Sequence, residues 1–195
     1  MTKRHAGTMP RDYFESLFAS SADPWRLDSS DYESAKRAAT IAALGGRIYD
    51  RAWEAGCARG ALTAELAPHC RCLIATDISA AALDAARERL RGCEHVRFSN
   101  AAFPQAEMAG DFDLILLSEI VYYLDDMDLC RAGERIASAL RPGGDVLLVH
   151  WTGETDYPQS GDDAVTKLRA ALGDRVRVLE ARRTDAYRLD LWRAA

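Results

Sequence analysis

The segment Trp53-Glu54-Ala55-Gly56-Cys57-Ala58-Arg59-Gly60 carries an apolar run into a turn of small residues that opens a helical pattern. Gly56 and Gly60 remove side chains and Ala58 nearly does, so a ligand can come close to the backbone, and the helix start offers unpaired N–H groups to a polar or anionic group. Asp77 follows 21 residues after Gly56, at the end of the next apolar run. An acid at that place can hold both hydroxyls of a ribose. Strand, glycine turn, helix, strand and acid describe a nucleoside site, the alternative for the two glycines being a tight turn without a ligand. A dinucleotide asks for G-x-G-x-x-G, whereas the spacing here is G-x-A-x-G.

These residues need a frame of strands and helices. From residue 48 onward, short β-type runs (48–54, 71–77, 95–100, 112–118, 145–150, 175–181 and 187–193) alternate with amphipathic helical stretches (61–67, 80–90, 127–140 and 162–172). Such alternation predicts an α/β protein with a seven-stranded, mainly parallel sheet. Ser79 is a good N-cap for the second of these helices, and Pro142-Gly143-Gly144 ends the helix before it. The last two strands are separated by only 182–186, too short for a parallel crossover, so they pair as an antiparallel hairpin. Two helices, 10–20 and 30–44, precede the first strand, linked by Ala22-Asp23-Pro24-Trp25-Arg26. The chain is expected to be one domain over 1–195, with 1–44 as an N-terminal helical cap on a core of 45–195 and the first eight or so residues disordered.

Composition excludes other roles. The 195 residues carry Lys+Arg 25 against Asp+Glu 30, a net charge of −5, which argues against a protein built to neutralise nucleic-acid phosphates or an anionic membrane. No apolar run approaches the ~18 residues of a membrane span, and no secretory h-region follows the basic N-terminus. A cytoplasmic location is expected. Cys57, Cys70, Cys72, Cys93 and Cys130 are odd in number and lack a paired C-x-x-C pattern, and His5, His69 and His95 are scattered, so reduced thiols and a metal-independent reaction are expected.

Glu54, Gly56, Ala58 and Gly60 fall on the positions of [D/E]-x-G-x-G-x-G, Asp77 lies in Ala75-Thr76-Asp77-Ile78-Ser79, and Phe112-Asp113-Leu114-Ile115 and Leu140-Arg141-Pro142-Gly143-Gly144 flank the next helix. The set resembles the class I S-adenosylmethionine (SAM)-dependent methyltransferases, with Ala58 departing from the consensus. The resemblance implies a Rossmann-like fold with strand order 3-2-1-4-5-7-6, the last strand antiparallel and helices on both faces. Further strings, Asp23-Pro24-Trp25-Arg26-Leu27-Asp28, Tyr32-Glu33 with Lys36, Leu66-Ala67-Pro68-His69-Cys70, Ser118-Glu119 and Tyr122-Tyr123-Leu124, are similar to the NodS-type methyltransferases over about residues 13–150. That family methylates the free amine of a deacetylated N-acetylglucosamine oligomer. The segment His150-Trp151-Thr152-Gly153-Glu154-Thr155-Asp156-Tyr157-Pro158 is similar to broader NodS-like proteins and not to the nodulation enzyme itself.

The resemblance implies SAM as cofactor, S-adenosylhomocysteine as its product, and a small-molecule acceptor. It assigns Glu54, Gly56, Cys57, Ala58 and Gly60 to the cofactor loop and Asp77 and Ile78 to the nucleoside, with Ser118 beside them. Ala102 stands where many members carry an acid for the adenine amino group, so adenine is left to backbone groups, Asn100 or packing on Phe103. Trp25, Tyr32 and Lys36 match positions that fold over the cofactor, Lys36 suiting the methionine carboxylate; an exposed amphipathic helix is the alternative. Glu119, Tyr122, Tyr123 and His150 lie beyond the carboxyl ends of strands 4 and 5, where open α/β sheets place ligands. A carboxylate at Glu119 attracts an ammonium and orients the neutral amine, His150 suits proton transfer near neutral pH, and Tyr122 offers an aromatic wall; the alternatives are a helix N-terminal acid, a satisfied strand-end histidine and core packing. Competing readings are O-methylation, a non-catalytic SAM or S-adenosylhomocysteine-binding module, an NAD-dependent oxidoreductase, and a nucleic-acid methyltransferase, the last lacking a base-flipping motif at Ser118-Glu119-Ile120-Val121.

Overall fold

A computed structural model describes residues 4–21, 23–108 and 110–195; Ala22 of the linking segment and residues 1–3 lie outside the described residues. The chain forms two compact units, one made of the residues up to Met9 with Phe103–Ala195, the other of Pro10–Ala102. Helices α1 (Arg11–Ser20), α2 (Asp31–Ala43), α3 (Ala61–Leu66), α4 (Ala80–Arg89), α5 (Asp126–Ala139) and α6 (Gly161–Leu172) alternate with strands β1 (Ala52–Ala55), β2 (Leu73–Asp77), β3 (Val96–Asn100), β4 (Phe112–Ser118), β5 (Leu140–Trp151), β6 (Val176–Arg183) and β7 (Tyr187–Ala194). The sheet order is β3-β2-β1-β4-β5-β7-β6, as the class I resemblance implies. No helix among the described residues is long and apolar enough to cross a membrane.

In the unit Pro10–Ala102, β1 pairs in parallel with β2, and β2 with β3. β1 is shorter than its apolar run because Tyr49 makes only an isolated bridge to Cys70 while Ile48 is exposed. Trp53 is fully buried and its indole N–H donates to the Thr76 hydroxyl at 3.0 Å, tying the ends of β1 and β2 together. Ser79 caps α4 as expected, its hydroxyl accepting from the Ala82 amide. Gly60 is demanded twice over: its φ is +76°, and an added Cβ would lie 3.1 Å from both Ala86 Cβ of α4 and Cδ1 of Leu90, the residue that caps its C-terminus.

In the other unit, β4 and β5 run parallel while β7 is antiparallel to both β5 and β6, confirming the predicted closing hairpin. Leu114, Ile115, Leu116 and Leu117 are all fully buried, so successive residues that point to opposite sheet faces are both covered. β5 begins earlier than expected. Pro142-Gly143-Gly144 does not form a separate turn; residues 141–144 bulge opposite the single residue Asp113, between the pairs Phe112–Leu140 and Leu114–Asp145. Gly143 allows this with φ +72°. The expected disorder of the first residues is also corrected from His5 onward: its amide donates to Asp156 O, Thr8 bonds to Asp125 and Asp128, and the Met9 amide donates to Tyr123 O.

Helices α5 and α6 touch where Gly133 faces Ala171, a Cβ at Gly133 falling 2.8 Å from Ala171 Cβ. Neither helix backbone can yield without opening the pair. Gly133→Val is therefore expected to lose about 1–3 kcal/mol of stability from overpacking despite removing a mid-helix glycine. Urea denaturation reads this, and equal or greater stability would show that the helices separate freely.

Candidate active site

In the unit Pro10–Ala102, the loop from β1 into α3 is a cradle in the left-handed region, with φ of +75° at Gly56, +46° at Ala58 and +76° at Gly60. Ala58 carries a steric cost that glycine would avoid, about 1–2 kcal/mol, and its amide donates to Asp77 Oδ2 at 2.8 Å. Asp77 Oδ1 accepts from the Ser79 amide, also at 2.8 Å. The Ile78 amide is a third backbone donor to this carboxylate, which offers about four acceptor positions in all, so Asp77 can still accept from a diol. Burial raises the Asp77 carboxyl; the Ser79 and Ala58 amides oppose that rise and the Glu15 charge adds to it.

Four of the loop amides have acceptors within the protein. Those of Gly56 and Cys57 both donate to Thr76 O, that of Ala58 to Asp77, and that of Gly60 to Cys57 O. A phosphate would find these four donors already used. Behind them, Glu54 is buried with Oε2 lacking a hydrogen-bond partner among the described residues. Burial pushes its carboxyl up to about 7, Thr63 pulling down and the Asp77 charge pushing up. The Cys57 thiol is held well above its ordinary range by burial and by the charges of Glu54 and Asp77, so it stays a thiol.

Two residues that sequence reasoning missed close the Asp77 side. Glu15 of α1 accepts from the Ser79 hydroxyl and the Ala80 amide at 3.0 Å each, adding a negative charge at the start of α4. Arg11 donates to Ile78 O and to Asn100 Oδ1. Asn100 in turn donates to the carbonyls of Asp77 and Ile78, so its side chain frames the pocket. Ala102 is half-buried and presents only a methyl group, while Phe103 is buried in the other unit. Trp25 packs edge-on against Phe18, and Lys36 is buried, donating to Glu33 at 2.8 Å beneath the Tyr32 ring.

In the unit containing β4 and β5, Glu119 follows Ser118, the half-buried last residue of β4, and has φ +56°. A non-glycine residue in this region costs about 1 kcal/mol or more and marks a backbone held by its surroundings. What holds it is specific: the Glu119 amide donates to Val149 O, and its Oε2 accepts from Tyr122 Oη at 2.7 Å and from the Trp151 amide at 3.0 Å. Tyr122 stacks on Tyr157 at 5.4 Å and 11° and meets Tyr123 edge-on. Burial and the Glu119 charge keep the Tyr122 phenol well above its ordinary range, so it acts as a donor to that carboxylate.

Of the two parts open to His150, general base or satisfied strand-end histidine, its hydrogen bonds are those of the second. Its ring is fully buried, and Nε2 accepts from the amides of Ile120 and Val121 at 3.3 and 3.2 Å. Those bonds use the basic lone pair and assign the ring proton to Nδ1. The imidazole anchors the turn that carries Glu119 and Tyr122; no sequence signal could distinguish that from a base.

Residues 12–184 match the family described as Nodulation protein S (NodS). Nodulation protein S of Sinorhizobium fredii is 34% identical over 128 residues, covering 65% of this chain and 59% of the relative. That of Rhizobium tropici is 35% identical over 128 residues, covering 65% and 54%. The chain thus spans less than two thirds of the length of these curated relatives. A crystal structure of the N-methyltransferase NodS from Bradyrhizobium japonicum in complex with S-adenosylhomocysteine matches at a TM-score of 0.83 and 26% identity, over 94% of this chain and 97% of that one. The family match takes in the loop from β1, Asp77, Glu119 and His150 alike, and the chain belongs to the NodS family.

Proposed function

We propose that the protein is a SAM-dependent N-methyltransferase acting on an amine of an amino sugar or related small molecule, with S-adenosylhomocysteine as second product. The observation that carries this reading is the fate of the loop amides. With those four donors used internally, the cradle suits a nucleoside without phosphates, and Asp77 can still accept from ribose hydroxyls. This fits SAM and disfavours a dinucleotide. Buried Glu54, with its unpartnered oxygen, suits the neighbourhood of a cationic donor. We assign the donor to Gly56, Cys57, Ala58, Gly60, Asp77 and Ile78, and the whole chain to one catalytic domain capped by α1 and α2. All five cysteines are free thiols, which supports a reducing compartment, the cytoplasm.

SAM, when bound, supplies a methyl group already activated by its sulfonium. The protein's task is then to hold an acceptor lone pair in line, which positioning alone can favour by several kcal/mol. Glu119 attracts the protonated amine, takes a proton from it and aims the neutral nitrogen. Tyr122 and the Trp151 amide both bind Oε2, so the carboxylate enters the reaction already oriented. His150 acts as a positioning residue through the Ile120 and Val121 amides.

Two variants separate the halves of this reading. Asp77→Ala is expected to weaken S-adenosylhomocysteine binding at least tenfold by calorimetry, because the ribose loses paired acceptors. Glu119→Gln should keep that affinity and lose at least a hundredfold in turnover. Retained affinity in the first, or full turnover in the second, would remove that residue from its role.

Folding raises the Glu54 carboxyl from 4.5 to about 7, so the fold favours its protonated form. The stabilisation is complete below pH 4.5 and is lost as pH rises through 7. Glu54→Gln should therefore be the more stable protein at pH 8, by on the order of 2 kcal/mol, with the difference shrinking towards pH 5. Denaturation curves that keep the same separation at both pH values would contradict the shift.

A further inference from the structure

Trp151 ends β5 one residue beyond His150, and for so large an apolar side chain it is unusually open, at 37% exposure. It is not a loose surface ring. The backbone of Gly153 lies so close to the indole that an added Cβ would fall 2.4 Å from Nε1 and 2.5 Å from Cε2 and Cζ2. Gly161 is equally constrained, an added Cβ there falling 2.1 Å from the Trp151 carbonyl oxygen. Two glycines thus seat this residue by backbone contact. The Trp151 amide binds Glu119 Oε2 at 3.0 Å, so the residue that carries the indole is also one that touches the carboxylate.

A fixed, partly exposed aromatic face loses little freedom on binding and excludes water from an apolar partner. A pyranose in its chair form presents such a partner, since one face carries mainly axial C–H groups while its hydroxyls point around the rim. An amine on that ring sits one bond from the stacked atoms, within reach of a carboxylate beside the platform. We propose that the exposed face of Trp151 is the acceptor platform of this protein, stacking the sugar ring whose amine Glu119 engages. Trp151 is then a specificity-determining residue that prefers cyclic over open-chain amines. This rests on the N-methyltransferase reading above and adds the part of the acceptor that is recognised.

The test compares the parent, Trp151→Ala and Trp151→Phe, each saturated with S-adenosylhomocysteine, in calorimetric binding of a glucosamine oligomer and of 2-aminoethanol. Trp151→Ala is expected to weaken oligomer binding about tenfold, with Trp151→Phe recovering most of it and 2-aminoethanol unaffected. Affinity for S-adenosylhomocysteine should be the same in all three. Equal oligomer affinity in Trp151→Ala overturns the platform, as does an equal loss for 2-aminoethanol or for S-adenosylhomocysteine, which would make the ring merely structural. Turnover with labelled SAM keeps the two levels apart. An oligomer methylated equally by parent and Trp151→Ala sinks the platform alone, whereas no amine methylated by the parent sinks the reading beneath it.

Discussion

The unit Pro10–Ala102 depends on one buried carboxylate. Asp77 takes the amide of Ala58 on one oxygen and that of Ser79 on the other, so a single side chain ties the loop after β1 to the start of α4. The loop can then hold three left-handed residues, one of them an alanine, because the amides of Gly56, Cys57, Ala58 and Gly60 are given internal acceptors. The consequence is chemical as well as structural. A loop of this shape with free amides would suit a phosphate, whereas this one leaves the acid and its remaining acceptor capacity as the recognition element.

The unit that carries Glu119 follows a similar economy around that residue. The backbone there sits in a region that disfavours side chains, and the compensation comes from groups that β4, β5 and the turn Val121–Tyr123 bring together. His150 secures two amides of the turn, Tyr122 and the Trp151 amide secure the carboxylate, and Tyr157 covers Tyr122. A carboxylate fixed this way needs little reorganisation when an amine arrives. The rigid parts around Glu119 are thus concentrated at the carboxyl ends of β4 and β5, where the parallel strands put them.

Much of this was legible in the sequence because it is written in residue types with narrow conformational meaning. Gly56 and Gly60 announce left-handed backbone, the short 182–186 connection announces a hairpin, and Ser79 announces a helix start. Ala58 was not legible as a left-handed residue, since nothing local marks it and its acceptor lies on another strand. The beginning of β5 was misjudged for a related reason: Pro142-Gly143-Gly144 has the composition of a turn, yet pairing of Leu140 with Phe112 draws it into the strand as a bulge. Arg11 and Glu15 sit on a helix without buried residues, and no local pattern marks their partners, Ile78, Asn100 and Ser79, which lie more than sixty residues away in sequence. His150 shows the limit most clearly, because the use of its ring nitrogen is decided by backbone amides some thirty residues away in sequence.

Transfer of a methyl group from SAM to an amine nitrogen is the activity proposed for this chain. Mass spectrometry of reactions containing SAM with a labelled methyl and a panel of free-amine acceptors, glucosamine oligomers first, reads that transfer. The label is expected on nitrogen, in step with formation of S-adenosylhomocysteine. Label on a hydroxyl oxygen, or S-adenosylhomocysteine binding with no labelled product from any acceptor in the panel, would contradict it.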